Sequence, residues 1–126
     1  MGNVLAEKTD VIATGYAIYY DIATPEMAER LMENYPLVKY GANTVYPQKR
    51  GKQFGAIYHN RGVWPGWEAT LMEGAMKAGN HELADEIMKS IMSAAARNLS
   101  NEEVINHETG AGNDAHRQLW SVAGHM

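Results

Sequence analysis

The sequence predicts an all-α protein built from antiparallel helical hairpins. Three observations favour this class. Apolar residues recur at helical spacing over most of the chain, proline and capping residues mark helix starts, and helices that are apolar on all sides alternate with helices that have one apolar face. The length of 126 residues suits one domain or part of one, so residues 1–126 are treated as a single unit.

The first predicted helix runs from about Asp10 to Ile22, and Thr9 or Asp10 can cap its N-terminus. Its apolar side chains point in every direction, which predicts a helix that is buried on all sides. The second predicted helix is capped by Thr24 and has Pro25 at its first position. Its apolar residues fall on one face, so it is expected to lie at the surface.

The same pair of helices, one buried on all sides and one at the surface, then recurs. The third predicted helix opens at Pro65 and ends at the turn Gly79-Asn80, and the fourth runs from about Glu82 to Asn98 with one face inward. A fifth helix is expected from Asp114 or Ala115 to the end of the chain. The helices therefore alternate as buried, exposed, buried, exposed and buried.

Two long connections follow the exposed helices, at 36–64 and 99–113. In an antiparallel array both connections must emerge at the same end, beside the N-termini of the buried helices. Loops longer than ~12–15 residues inside a compact domain are usually functional or disordered. The sequence therefore predicts one functional face, lined by aromatic and polar residues.

The composition excludes several classes of function. A net charge of −4 argues against a non-specific nucleic-acid binder. The longest apolar run, Ala13 to Tyr20, is far shorter than the ~20 residues of a membrane span. The chain has no cysteine, which excludes disulfides and thiolate metal sites, and its start lacks the apolar segment of a signal peptide. A bacterial-type cytoplasmic or periplasmic location is expected, with no membrane partner.

The residues with the richest chemistry form two stretches, 58–68 and 106–121, which combine aromatic rings, carboxylates and forked hydrogen-bond donors. Aromatic rings can lie against the apolar face of a pyranose, while Arg, Asn, His and Gln bind its hydroxyl groups. The sequence therefore predicts a carbohydrate site. Glycoside hydrolysis additionally needs two carboxyl groups across the scissile bond.

The stretch His59–Pro65 resembles the His-Asn-x-x-x-Trp-Pro signature of the six-hairpin (α/α)6-barrel glycosidases, which include glycogen-debranching and glucoamylase-like bacterial glycoside hydrolases. Glu108–Gly110, followed by Arg117–Gly124, is similar to the late active-site loop and last inner helix of that family. Ile22–Arg30 resembles a preceding hairpin turn. The three stretches occur in the family's order.

The resemblance implies a partial (α/α)6 toroid of about two and a half hairpins, whereas a full ring needs roughly 300 residues. It also implies that Glu108 is the catalytic carboxylate, with Glu102 and Glu103 as nearby alternatives. No residue matches the partner general acid, so the isolated chain is expected to retain little or no activity. The substrate-binding residues implied are Tyr58, His59, Asn60, Arg61, Trp64, Trp67, His107, Gln118 and Trp120.

Structural interpretations stand beside these functional ones. Trp64 and Pro65 could simply start a helix. Glu108 could pair with Arg61 or Arg117 instead of acting on substrate. Glu68 lies in the first turn of a helix, where a carboxylate favours the helix dipole, and we interpret it as structural.

No cofactor is implied by the resemblance, and no metal is expected. His107 and Glu108 do not open an HExxH motif, because Ala111 stands where the second histidine would be. Two other functions remain open: a non-catalytic carbohydrate-binding or assembly module, and a sugar isomerase or lyase on the same toroid. Since helices of a partial ring would expose apolar faces, a homo-oligomer is expected, most simply a dimer.

Overall fold

A computed structural model describes residues 8–48 and 58–123 of the chain. Of these residues 54% are helical and 13% are paired as β structure, in two small antiparallel sheets. The predicted all-α class, with antiparallel hairpins forming a partial (α/α)6 toroid, is therefore wrong, and the described fold is mixed. The sheets were missed because each strand has only two or three residues, too few to show an alternating pattern.

The elements in chain order are β1 (Thr9–Asp10), α1 (Val11–Tyr19), α2 (Pro25–Glu33), β2 (Val45–Tyr46), α3 (Tyr58–Arg61), β3 (Gly62–Val63), α4 (Pro65–Lys77), α5 (His81–Asn98), β4 (Val104–Asn106), β5 (Gly112–Asn113) and α6 (Leu119–Ala123).

Side-chain caps define the starts of three helices. The Asp10 carboxylate accepts a hydrogen bond from the backbone N–H of Ala13 at 2.8 Å at the start of α1. The Thr24 hydroxyl accepts from Met27 at 3.3 Å at the start of α2. At α5, Asn80 Oδ1 accepts from the backbone N–H of Leu83 at 3.0 Å. Each cap pairs a donor that the helix itself leaves unpaired.

The main core lies where α4 packs against α1 on one side and α5 on the other. Leu71 and Ala75 of α4 are fully buried, as are Ile87 and Ile91 of α5. Gly15 of α1 lets the two helix backbones approach closely, because a Cβ there would lie 3.1 Å from the backbone nitrogen of Leu71. Burial of these side chains is the main stabilising contribution to the helical layer.

Two helix predictions need correction. α1 is not buried on all sides, since the side chains of Tyr16 and Tyr19 are 42% and 44% exposed. The last helix begins at Leu119, later than Asp114 or Ala115. The preceding residues instead form β5 and a turn in which Asp114 and Arg117 have positive φ angles of 68° and 59°, a backbone conformation that a helix excludes.

The sheets fasten the long connections to one another. β1 pairs antiparallel with β2, aligning Asp10 with Val45. In the second sheet β4 lies between β3 and β5, with Val63 opposite Ile105. Val63 also bridges to Asn43, so the first long connection reaches the same place. Val63 and Ile105 form a second, smaller core with Ala94 of α5.

Across the described ranges, none of the helices combines the length and apolarity needed to cross a membrane.

Candidate functional site: an aromatic cluster with adjacent carboxylates

The two long connections meet at the N-terminus of α4. β3 leads directly into this helix and pairs with β4 from the second connection. The predicted convergence of the loops beside the start of this helix is confirmed. The convergence arises because the backbones of β3 and β4 pair, and this pairing holds side chains that are distant in sequence next to one another.

Five of the predicted substrate-binding residues form one aromatic cluster: Tyr58, His59, Trp64, Trp67 and Trp120. Trp64 and Trp67 stack with centroids 4.1 Å apart and ring planes 14° apart. The His59 ring is nearly parallel to Trp64, at 5.3 Å and 2°. Trp120 meets Trp64 and Trp67 edge-on, at 5.8 Å from each.

The members of the aromatic cluster differ in how much of each ring is open to solvent. Trp64 is 3% exposed because Trp67 and Tyr58 pack against it. Trp120 is 40% exposed and His59 is also exposed. Trp64 therefore forms the buried part of the cluster, whereas Trp120 and His59 are exposed to solvent.

The start of α4 explains why the cluster forms. Pro65 occupies the first helical turn, and the carbonyl of Trp64 accepts from the backbone N–H groups of Trp67 and Glu68, each at 2.9 Å. Trp64 Nε1 donates to the carbonyl of Tyr58 at 3.3 Å. The interpretation of the Trp-Pro pair as a helix start is confirmed, and Trp64 also contacts the other rings of the cluster.

Glu103 is the carboxylate that contacts the aromatic cluster. Its Oε1 accepts from the Tyr58 hydroxyl at 3.2 Å, and its Oε2 accepts from the backbone N–H of Ala115 at 3.3 Å. Desolvation, the hydrogen bond to Glu103 and the negative charges of Glu103 and Asp114 raise the pKa of Tyr58 above its ordinary value. The phenol therefore stays neutral and donates to this carboxylate.

Glu102 lies on the other side of the same segment and pairs with a histidine. Its Oε2 is 2.5 Å from Nδ1 of His116. The Glu102 side chain is 3% exposed, whereas that of His116 is 69% exposed. This contact holds the exposed His116 ring against the buried Glu102 carboxyl group. Gly112 packs directly against the Glu102 carboxyl group, leaving no space for a side chain.

Glu108, the catalytic carboxylate implied by the resemblance, lies on the exposed turn between β4 and β5. Its Oε1 is 3.6 Å from Nε2 of His107, and its backbone N–H donates to the Asn106 side chain at 2.9 Å. It forms no ion pair with Arg61 or Arg117, both of which the structure describes. The alternative of a structural pairing with either arginine is therefore not realised.

The other four predicted binding residues are Asn60, Arg61, His107 and Gln118. Asn60 and Arg61 are half-buried in the short helix α3. Gln118 is half-buried, and its backbone N–H donates to the carbonyl of Asn101 at 2.8 Å. His107 is half-buried at the turn of the β4–β5 hairpin, and its Nε2 is buried without a hydrogen-bond partner.

The most perturbed carboxyl group is Glu68, which sequence reasoning assigned only to the helix dipole. It is fully buried, and its Oε1 accepts from the backbone N–H of Ala42 at 2.7 Å. Desolvation raises its pKa to about 8, against the opposing hydrogen bond from the Ala42 backbone N–H and the opposing influence of the nearby Ser90 hydroxyl. The signal was present in the sequence, because Glu68 shares a helix face with the core residues Leu71 and Ala75.

Within 8–48 and 58–123, no group of three histidine, aspartate or glutamate side chains is placed to hold a metal ion. No protein-family model matches the chain, and no curated protein matches it at a significant level.

Proposed function

We propose that this chain binds carbohydrate at the aromatic cluster, in a site of the glycoside hydrolase type. The observation that carries the proposal is the pair of accessible rings, Trp120 and His59, beside the Glu103 carboxylate. A ring face can pack against the C–H face of a pyranose while a neighbouring carboxylate accepts from its hydroxyl groups. Trp64 is buried and packs against the other rings, which favours a site that is already formed before the ligand binds.

Polar groups around the rings suit a ligand with many hydroxyl groups. Glu103 keeps acceptor capacity beyond its bonds to Tyr58 and Ala115, because each carboxylate oxygen has two lone pairs. His116 is exposed and oriented by buried Glu102, so its ring adds a further polar group at this surface. Together these groups supply directional contacts next to an apolar surface, which is the composition typical of a sugar site.

Hydrolysis of a glycosidic bond is the second candidate function. The sequence resemblance favours Glu108 as the catalytic carboxylate, whereas contact with the aromatic cluster favours Glu103. Both glycosidase mechanisms need a second carboxyl group across the scissile bond. Because no general acid matches in this chain, we expect binding to be readily measurable and turnover by the isolated chain to be weak.

Sugar binding can be followed without a label, because the three tryptophans of the protein all belong to the aromatic cluster. Titration with neutral oligosaccharides such as malto-, cello- and xylo-oligosaccharides should change tryptophan emission saturably. Calorimetry should then show that Trp120→Ala weakens binding by about tenfold or more, equivalent to ~1.4 kcal/mol. The matched control is Tyr19→Ala, which removes an exposed ring from α1 and should leave binding unchanged.

Equal affinity in Trp120→Ala and the unaltered protein would overturn the proposed site. Catalysis is separated by a second pair of variants, Glu108→Gln and Glu103→Gln, assayed for sugar release and for binding. Loss of release with retained binding in Glu108→Gln supports the role implied by the resemblance. If Glu103→Gln loses sugar release and binding while Glu108→Gln keeps them, the site is assigned to Glu103 instead.

We also propose that the chain forms a homo-oligomer, most simply a dimer, through the open side of α1 and the segment that follows it. Tyr16, Tyr20 and Ile22 are 42%, 63% and 75% exposed, and the two tyrosine rings lie 5.7 Å apart. An apolar surface of this kind favours association. Light scattering should give twice the chain mass at micromolar concentration, and Tyr20→Glu should shift it to a monomer. A monodisperse monomer of the unaltered protein contradicts the proposal.

A further inference from the structure

A cavity of about 360 Å³ lies between the 37–41 segment and the exposed face of α5. Its size is within the ~300–1,000 Å³ typical of small-molecule sites. The lining residues are Leu37, Val38, Lys39, Tyr40, Gly41, Glu86, Lys89, Ser90, Ser93 and Arg97. None of them belongs to the aromatic cluster.

The cavity is unusually basic for a protein whose net charge is −4. Lys89 and Arg97 project from α5 at a spacing that keeps them along one side of the helix, and Lys39 approaches from the opposite wall. Glu86 is the single acidic residue of the lining. Three cations facing one carboxylate in a concave surface concentrate positive potential, which attracts an anion.

The Tyr40 ring fixes two of these cations. Lys39 Nζ lies 4.8 Å from the ring centroid and Arg97 Cζ lies 4.6 Å from it, so the two charges can be no farther apart than the sum of these distances. Cation–π contacts hold both groups in place. Glu86 is the one carboxylate of the lining, so positive charge remains in excess there and attracts an anion.

Gly41 and Ser90 form the side of the cavity that faces Glu68. Ser90 Oγ donates to the carbonyl of Tyr40 at 2.8 Å, which ties α5 to the loop. Gly41 separates the cavity from Glu68, whose side chain leaves no space for a Cβ at that glycine. Because burial raises the pKa of Glu68 to about 8, this carboxyl is mostly protonated at neutral pH and does not cancel the cations above it.

We propose that this cavity binds the phosphoryl group of a small phosphate monoester. The planar guanidinium of Arg97 matches two phosphate oxygens, while Lys39 and Lys89 act as point charges that neutralise the rest of the anion. The cavity volume leaves room for an organic portion of about sugar size beside the phosphate. The proposal is independent of carbohydrate binding at the aromatic cluster, because the two sites share no residue.

The test uses inorganic phosphate and glucose 6-phosphate as probes, titrated against the whole chain by calorimetry at low ionic strength. Saturable binding of inorganic phosphate is expected, and Lys89→Gln should weaken it by about tenfold, since a hydrogen bond to a charged group contributes in that range. Affinity should also fall as salt is added. Tighter binding of glucose 6-phosphate would show that the organic portion also contacts the cavity.

Arg30→Gln is the matched control, because it removes the same charge from the exposed surface of α2, outside the cavity. Arg97→Gln is a second variant, with thermal unfolding measured to detect loss of its packing on Tyr40. Equal weakening by Lys89→Gln and Arg30→Gln would overturn the site. Absence of saturable binding at millimolar phosphate, or equal affinity for acetate, would overturn the phosphoryl assignment.

Discussion

Buried Glu68 makes the stability of this protein depend on pH in a direction opposite to that of an ordinary paired carboxylate. The folded protein raises the pKa of this carboxyl from 4.5 to about 8 because burial removes it from water. Between these values the folded state holds a proton that the unfolded chain releases. The free energy of unfolding must therefore fall as pH rises through this window.

The magnitude follows from the size of the pKa change. Each pH unit between about 5 and 8 lowers the free energy of unfolding by ~1.4 kcal/mol through this one group. The change from 4.5 to about 8 gives a total of roughly 5 kcal/mol between the acidic and alkaline limits. Above the folded pKa both states are ionised and the dependence ends.

Glu68→Gln removes the titration while keeping the shape of the side chain and an oxygen that can accept from Ala42. Urea unfolding at several pH values should show the difference in stability between variant and unaltered protein growing by ~1.4 kcal/mol per pH unit up to about pH 8. Met76→Gln, at an exposed position of the same helix that carries no titratable group, should give a difference that is flat with pH. A flat difference for Glu68→Gln as well would refute the reasoning.

Three further predictions concern packing and backbone conformation. Gly15→Ala should destabilise the protein by ~1–3 kcal/mol, because its methyl would lie 3.1 Å from the backbone of α4. A methyl at Gly74 would instead come closest to the terminal methyl of the Met32 side chain, at 3.2 Å, so Gly74→Ala should be better tolerated, and thermal unfolding ranks the two variants. Leu99→Gly should stabilise the folded protein by roughly 0.5–1 kcal/mol in urea unfolding, because Leu99 has a φ of 52° and its side chain is exposed. Leu99→Ala should give no such stabilisation, because alanine also disfavours a positive φ. Asn98→Ala should lower the free energy of unfolding by ~1–3 kcal/mol, because Asn98 Oδ1 accepts a hydrogen bond from the backbone N–H of Gly112 in β5 at 2.8 Å. Unchanged stability in urea unfolding would contradict this.

Helix starts were predictable because capping is a local property. Asp10, Thr24 and Pro65 begin helices where the sequence placed them, since a short polar side chain or a fixed φ acts on the residues directly after it. The strands were not predictable, since pairing such as Val63 with Ile105 joins residues far apart in sequence. Local pattern contains no information about that partner.

The same difference between local and long-range interactions explains which parts of the candidate site were predictable. The expectation that both long connections emerge beside the N-termini of the buried helices placed Trp64, Trp67 and Trp120 on one face, and these three rings are in contact. The contact between Tyr58 and Glu103 was not predictable, because it depends on how the 114–118 turn folds back onto the start of β4. Sequence similarity pointed to Glu108 instead, since a motif records spacing along the chain and carries no information about which carboxylate reaches the rings.

The aromatic cluster and the cavity beside α5 depend on both cores. Trp67 and Leu37 pack against the main core, whereas Val38 and Tyr40 pack against the smaller one. Val63 and Ile105 are buried beneath the point where the two long connections pair, and Ala94 of α5 completes this core. Partly buried Tyr40 packs on the same core and also lines the cavity. Because few residues form this core, it should open at lower free energy than the α1–α4–α5 layer. Loss of packing at Val63 should therefore disturb both sites while the helices remain folded, so the order of the sites depends on the strands that the sequence did not reveal.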